Sequence, residues 1–449
     1  MNLKIDQESV NYTCQVLEIK NLRKHSNADR LQIATLQGNN VICGLDTAVG
    51  DIVLFFPIES QLAQRFAEAN DLIRRKDADG KTAGGMFDPQ LRCKAISLRG
   101  ERSEGFICPV SYLDKIGIDS SKLSVGSEFT HINGVEIVRK FVPKTKRISV
   151  SQKAGKKPKK AESKLIDGQY HLHYDTVQLK RNLNHFEEND LIVMTQKLHG
   201  TLMSMGRVLC KKKLGVWERL LQKLGVSIEN TEYADVYSSR TVIKNRDLNS
   251  NAGYYNHDVW TDCYEKYKEC LEANLTIHGE LVGMLPTGQW IQKNYSYGLP
   301  PNTWDFYVYR ITFTSIAGKV YEFNWQQIKN YCERFALKHV PELFYGRASE
   351  FLQYAEKIAR DAGYKALENS FNEQFLASIQ NTFLEKKLEN DVWDEGLCIR
   401  NESKDFIAYK CKSYNFLGYE SAMLDKGDVG IDDKQLDDNP DDVSGGGMS

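Results

Sequence analysis

Residues 190–201 read DLIVMTQKLHGT. The apolar, β-branched-rich run up to Thr195 has the composition of a strand. Directly after it comes Lys197, with Gly200 three residues on. A lysine at a strand end beside a glycine can come close to a phosphate, because no Cβ stands in the way. Five residues of this kind also describe a surface turn. Four further segments then follow in one order, GELVG at 279–283, DFYVYRI at 305–311, EGLCIRN at 395–401 and AYKCK at 408–412. Each sets charged or aromatic groups into a strand-like pattern. Lys410 and Lys412, two apart on a predicted strand, project from one face with Phe406 and Ala408, about 7 Å from each other, so both can reach one phosphate. By the same spacing Tyr307 and Tyr309 share a strand face.

These five segments resemble motifs I, III, IIIa, IV and V of the covalent nucleotidyltransferases, the superfamily of DNA ligases, RNA ligases and mRNA capping enzymes. His199 stands where DNA ligases and capping enzymes usually carry Asp, and the KxHG form is similar to that of RNA ligases that seal nicks. The run GQWIQKNYSYG at 288–298 resembles a block of those same ligases. The resemblance implies that Lys197 attacks ATP and carries AMP within a turn that includes His199 and Gly200. It implies that Glu280 accepts from the ribose hydroxyls, that Glu395 serves Mg²⁺ or Mn²⁺, and that Tyr309 stacks on adenine. Lys410 and Lys412 then meet the nucleotide phosphate. Arg240, in YSSRTVIK, resembles the motif Ia arginine that holds a terminal sugar-phosphate or 5′-phosphate, and Lys293 is a phosphate contact. A lysine amine attacks only when neutral, and neighbouring cations lower its pKa. Bound Mg²⁺ with Lys410 and Lys412 is therefore expected to favour free-amine Lys197. Two positions depart from the nick-sealing pattern: Leu202 replaces Asn, and Arg310 replaces Asp.

Outward from this core, residues 11–138 alternate short apolar segments with Gly, Asn and Asp turns, the pattern of a small β-barrel. HSNADRLQIATLQGNNVICGLDTAVGD at 25–51 resembles OB-fold tRNA-binding modules. Arg92, Lys94, Arg99 and Arg102 are its candidate phosphate contacts. SLRGERSEGFICP at 97–109 resembles a second barrel segment of RNA ligases that carry an N-terminal OB domain. The expected fold is α+β: an N-terminal OB-like β-barrel, then a nucleotidyltransferase domain of antiparallel sheets with flanking helices. The expected domains are 1–138 (OB-fold), 139–165 (basic linker), 166–420 (nucleotidyltransferase) and 421–449 (acidic tail). Residues 139–164 hold eleven Lys or Arg against one Glu, and 425–442 hold eight Asp against two Lys. These local excesses nearly cancel, in a chain of 59 basic and 60 acidic side chains. Segments of helical period, WQQIKNYCERFAL and SEFLQYAEKIARDAG, fall between 325 and 388, and LGVWERLLQKLG at 214–225 is amphipathic, suited to a core or a partner-facing surface.

Ten cysteines without a CxxC pair read as reduced thiols. The longest apolar stretch, VLFFPI at 53–58, is far too short to cross a bilayer. An intracellular protein is expected, cytoplasmic or nuclear, monomeric, acting on nicked RNA or an RNA-containing duplex with no membrane partner. Two other readings compete. One is a GTP-dependent capping guanylyltransferase or a DNA ligase, although these normally carry an OB domain after motif V, where 37 largely acidic residues follow Lys412. The other is a non-catalytic tRNA- or RNA-binding protein.

Overall fold

The computed structural model describes residues 3–76, 82–142, 164–172, 174–245, 258–361 and 370–426. Most of the basic stretch 139–164 and the acidic tail after 426 lie outside the described residues.

Two sheets frame the C-terminal half. In the first the order is Val177–Gln178, Ala408–Lys412, Gly396–Asn401, Leu191–Gln196, Glu342–Arg347, antiparallel except for the parallel edge strand Val177–Gln178. In the second the order is Thr231–Ser238, Thr201–Lys211, Leu275–Gly283, Trp304–Thr314, Val320–Glu322, all antiparallel, with Lys338–His339 added parallel to Trp304–Thr314. Leu191–Gln196 belongs to one sheet and Thr201–Lys211 to the other, so Lys197–Gly200 is the crossing between them. The expected antiparallel sheets with flanking helices are formed.

Each sheet buries one face against helices. The helices Val259–Tyr267 and Trp325–Arg334 bring Trp260, Trp325 and Ile328 onto Met203, Ile277, Phe306 and Val308. Ala348–Asp361 and Phe371–Phe383 set Phe351, Phe375 and Ile379 against Ile192, Met194, Leu397 and Ile399. Asn324 starts Trp325–Arg334 by accepting from the Gln327 N–H at 2.8 Å while the Gln327 side chain accepts from the Asn324 N–H at 2.8 Å, a reciprocal cap. The segment 214–225 also forms a helix, Val216–Lys223, but buries none of its side chains.

The N-terminal strands pair in short antiparallel sheets. Gly105–Pro109, Ile52–Pro57, Cys14–Glu18 and Glu128–Phe129 make one, and Asn21–Lys24, Leu31–Leu36 and Asn39–Gly44 another. Gln37 and Gly38, both at positive φ, turn the hairpin Leu36 to Asn39 as paired left-handed residues do. Among the described residues these pairings do not close into a ring, so the expected barrel is present only as separate sheets over cores that include Phe56, Phe66, Leu113 and Phe129. All ten cysteines are free thiols. Among the described residues no helix is long and apolar enough to cross a membrane.

Trp260 is wholly buried, and its indole N–H donates to the Leu202 carbonyl at 2.9 Å, just beyond the crossing. Trp260→Ala is expected to lower stability by about 3–5 kcal/mol, read as a fall in urea midpoint; a midpoint unchanged from the parent would contradict this packing.

Candidate active site

A cleft of about 1250 Å³ opens at the crossing, lined among others by Lys197, His199, Gly200, Arg240, Glu280, Lys293, Tyr309, Glu395, Lys410 and Lys412. Lys197 and Lys412, 215 positions apart in the chain, thus meet in one space.

Gly200 sits at the tightest point. A Cβ there would stand 2.2 Å from the Leu281 carbonyl oxygen and 2.8 Å from Glu280 Cγ, so only glycine lets the turn press against the strand that carries Glu280. The Gly200 N–H donates to Glu280 Oε1 at 3.2 Å, and its carbonyl accepts from Gln292 Nε2 at 2.9 Å. The His199 N–H donates to the Tyr297 hydroxyl at 2.6 Å. The Lys197 N–H donates to the Gly396 carbonyl at 2.9 Å, tying the turn to the Glu395 strand. The His199 ring packs edge-on against Tyr295 and Phe416, with centroids 4.7 and 5.0 Å away. Block 288–298 therefore buttresses the turn through Gln292, Tyr295 and Tyr297, while Lys293 stands exposed at the cleft.

The electrostatics centre on Glu395. Its Oε1 lies 2.8 Å from Lys197 Nζ and 3.6 Å from Lys412 Nζ, and His199 Nδ1 is 3.7 Å from Oε2. Burial pushes this carboxyl up, but Lys197, then His199 and Lys412, outweigh it and hold it well below the usual carboxylate range. Burial likewise pushes Lys197 down, yet Glu395 outweighs burial and leaves the amine above its ordinary value. Lys412 does lower Lys197, as expected, but the nearer Glu395 carboxylate outweighs it among the side chains alone. Lys410 is the residue whose pKa falls, from 10.5 to about 8, by burial first and then by Lys412.

Lys412 holds two partners that no motif indicated. Glu420 Oε2, on the helix Tyr414–Asp425, is 3.1 Å from its Nζ, and Glu59 Oε1, from an N-terminal turn, is 3.5 Å away. Burial pushes both carboxyls up. Lys412 brings Glu59 back below its usual range, whereas burial and the neighbouring Glu59 keep Glu420 well above it.

The remaining candidates are placed as follows. The strand pairing slips beside Tyr309, His278 facing Arg310 and Gly279 facing Val308. Tyr309 is thus the extra residue of a bulge, which re-aims a side chain. It lines the cleft, and Tyr307 does not, so the expected common face is interrupted. Phe406 lies before the strand Ala408–Lys412, with its ring 4.9 Å from the Arg310 guanidinium and 4.8 Å from that of Arg400. Arg240 donates to Asp175 Oδ1 at 2.9 Å. Arg92 is 3% exposed, donates to Ser421 Oγ at 3.2 Å and lies 4.8 Å from the Phe141 ring. Lys94 pairs with Asp88 and Asp425, and Arg102 with Glu385. Three of the four expected N-terminal phosphate contacts therefore face the chain's own C-terminal part. Arg99 is exposed and donates to the Asn27 carbonyl at 3.3 Å.

For a divalent cation the donor set is sparse. Among the described residues no group of three or more His, Cys, Asp or Glu side chains is arranged to hold a metal. Glu395 Oε2 is buried without a hydrogen-bond partner. One carboxylate with an oxygen to spare suits a hard ion that keeps water and substrate oxygens as its other ligands.

The family described as RNA ligase matches residues 190–413. No curated protein sequence gives a significant match. Among solved structures, Naegleria gruberi RNA ligase in a lysine-to-methionine mutant with AMP and Mn aligns at TM-score 0.54 and 17% identity, over 93% of this chain and 99% of that one. An apo aspartate-to-alanine mutant of the same ligase aligns at TM-score 0.56 and 15% identity, over 92% and 99%. At such identity the likeness is one of fold.

The Lys410 shift makes a testable statement. Between about pH 8 and 10.5 the unfolded chain keeps a proton that folded Lys410 has released, so stability rises with pH across that window, the cost being complete below it. Lys410→Met is expected to be more stable than the parent near neutral pH, with the gap closing as pH rises through the window. Urea denaturation of both proteins across that range measures it; a gap independent of pH would contradict the assignment.

Proposed function

From the chain's membership of the RNA ligase family through residues 190–413, we propose that it is an ATP-dependent ligase that seals 3′-hydroxyl/5′-phosphate breaks in nicked RNA-containing duplexes through a lysyl-AMP intermediate. The observation that carries the reading is the meeting of Lys197, Glu280, Glu395, Lys410 and Lys412 in one cleft at the sheet crossing.

In the first step Lys197 gives up its ammonium proton to water and Nζ attacks the α-phosphorus of ATP; an N–P bond forms as the α–β P–O bond breaks, pyrophosphate leaves, and the proton released from the new P–N nitrogen passes to solvent. A 5′-phosphate oxygen then attacks the same phosphorus and frees the lysine. Last, the 3′-hydroxyl attacks the 5′-phosphorus and AMP departs. Positioning and charge neutralisation are the main work in such transfers. Glu395 holds Lys197 Nζ at 2.8 Å and so orients the amine. His199, gripped by Tyr295 and Phe416, faces the second oxygen of that carboxylate. Glu280 takes the ribose hydroxyls, Tyr309 the adenine face, and Lys410 and Lys412 the α-phosphate. Glu395, through its unpaired Oε2, would hold Mg²⁺ or Mn²⁺, which would supply charge neutralisation at the phosphate and offset the carboxylate's pull on the Lys197 proton. The Naegleria gruberi structures with ATP or AMP and Mn support this choice of cofactors.

Arg240 and Lys293 at the cleft, with Arg99 on the N-terminal surface, bind the nucleic-acid backbone. Arg92 we assign to holding the final helix, given its burial against Phe141 and Ser421. The N-terminal part through residue 138 forms an OB-type nucleic-acid-binding domain, and the part from residue 166 through the helix Tyr414–Asp425 the nucleotidyltransferase domain; the chain acts as a monomer.

Sealing assays on nicked duplexes, with ribose or deoxyribose on each side of the break, test the reading. Joining is expected to need ATP, Mg²⁺ or Mn²⁺ and a ribose 3′-hydroxyl. It should fall at least about a thousandfold in Lys197→Ala, which removes the nucleophile. Sealing that persists in Lys197→Ala, or that runs on GTP alone, would overturn it.

A further inference from the structure

The helix Val216–Lys223 is absorbed by neither the core nor the cleft. It stands on a hairpin neck beyond the last ladder pair, Lys211 with Thr231, where the Lys212 N–H still donates to the Asn230 carbonyl at 2.8 Å. Its fold is well defined. Glu218 Oε2 accepts from the Gly215 N–H at 2.7 Å and Oε1 pairs with Lys212 at 2.7 Å, which closes the N-terminus. Gly225 at φ +82° ends it, with the Val226 N–H bonded back to the Leu221 carbonyl at 3.0 Å. At 3.6 residues per turn, Val216, Leu220, Leu224, Trp217 and Leu221 fall within an arc of about 140°.

That apolar arc faces water. Val216 is 83% exposed, Trp217 77% and Leu224 72%, with Leu220, Leu221 and Val226 also exposed. An ordered helix with an apolar face turned outward marks an interaction surface. Its charge says what kind. Lys211, Lys213, Arg219 and Lys223 are exposed around it, and its one acid, Glu218, is already paired with Lys212. The helix buries none of its side chains, and a fluid surface receives such a face without a matched groove.

We propose that this hairpin tip docks on an anionic lipid surface, with Trp217, Leu220, Leu221 and Leu224 entering the headgroup boundary and the flanking cations meeting the lipid anions. A helix with Trp and Leu on one face and Lys and Arg on the other lies in such an interface, and cytoplasmic leaflets carry the matching negative charge. The contact is peripheral and spans nothing. It departs from the expectation that no membrane is a partner, and it stands apart from the cleft and its chemistry.

The test is flotation of the full chain with phosphatidylcholine vesicles, with and without phosphatidylserine. Binding is expected only to the anionic vesicles, weakening as salt is raised. W217S/L221S should lower the bound fraction at least about tenfold, and K211E/K213E should lower it at least about fivefold per residue. Brominated lipid should quench tryptophan fluorescence in the parent and much less in W217F. Nick sealing in solution should be equal in all four proteins, which separates this inference from the assignment of the cleft. Binding untouched by W217S/L221S would mean that basic segments elsewhere act alone, and would overturn the proposal. So would no affinity for anionic vesicles, or a concentration-dependent dimer that W217S/L221S abolishes while vesicles are ignored.

Discussion

The arrangement depends on one ion pair at a sheet crossing. Lys197 leaves the end of Leu191–Gln196, and Glu395 immediately precedes Gly396–Asn401 on the neighbouring strand of the same sheet. Their 2.8 Å contact sets the amine at the mouth of the cleft. Two further constraints keep it there: Gly200 admits no Cβ against Leu281, and the His199 ring is held between two aromatic edges. The carboxylate that orients the Lys197 amine also holds its pKa up. Chemistry at this lysine therefore requires that Glu395 be given other company, and its second oxygen is placed to accept it.

Around that pair the chain is closed by segments far apart in sequence. Glu59 from the N-terminal part and Glu420 from the last helix converge on Lys412, while Arg92 and Lys94 reach Ser421 and Asp425. An ammonium shared among Glu59, Glu395 and Glu420 is strongly compensated. Lys410, two residues away on the same strand, is instead pushed towards neutrality by burial and by Lys412. The two strand lysines are thus unequal: one is a fixed charge bound into the joint between chain segments, and the other a cation that arriving negative charge would strengthen.

The parts that local pattern can carry were legible in the sequence. The strand before Lys197, the lysine pair on Ala408–Lys412, the helices Trp325–Arg334 and Ala348–Asp361 and the antiparallel sheets follow from periodicity, and the ordered segments around them pointed to a nucleotidyltransferase cleft. What escaped depends on distance in space. Glu59 and Glu420 are ordinary acidic residues until folding brings them to Lys412. The bulge that separates Tyr309 from Tyr307 is a property of strand pairing, which single-strand alternation cannot reveal. The pKa of Lys197 turned on a 2.8 Å contact, and the amphipathic pattern at 214–225 fixed a helix without saying whether its apolar face would be covered. The N-terminal alternation likewise foretold short strands but not whether their edges would close.

The central claim is that the amine of Lys197, and no other group, takes up the nucleotide. Peptide mapping by tandem mass spectrometry of the full chain, after incubation with ATP and Mg²⁺ and no nucleic acid, tests it most directly. One AMP adduct is expected, acid-labile as a phosphoramidate is, on the peptide that contains Lys197. An adduct confined to Lys410, Lys412 or any other residue, or none at all, would contradict it.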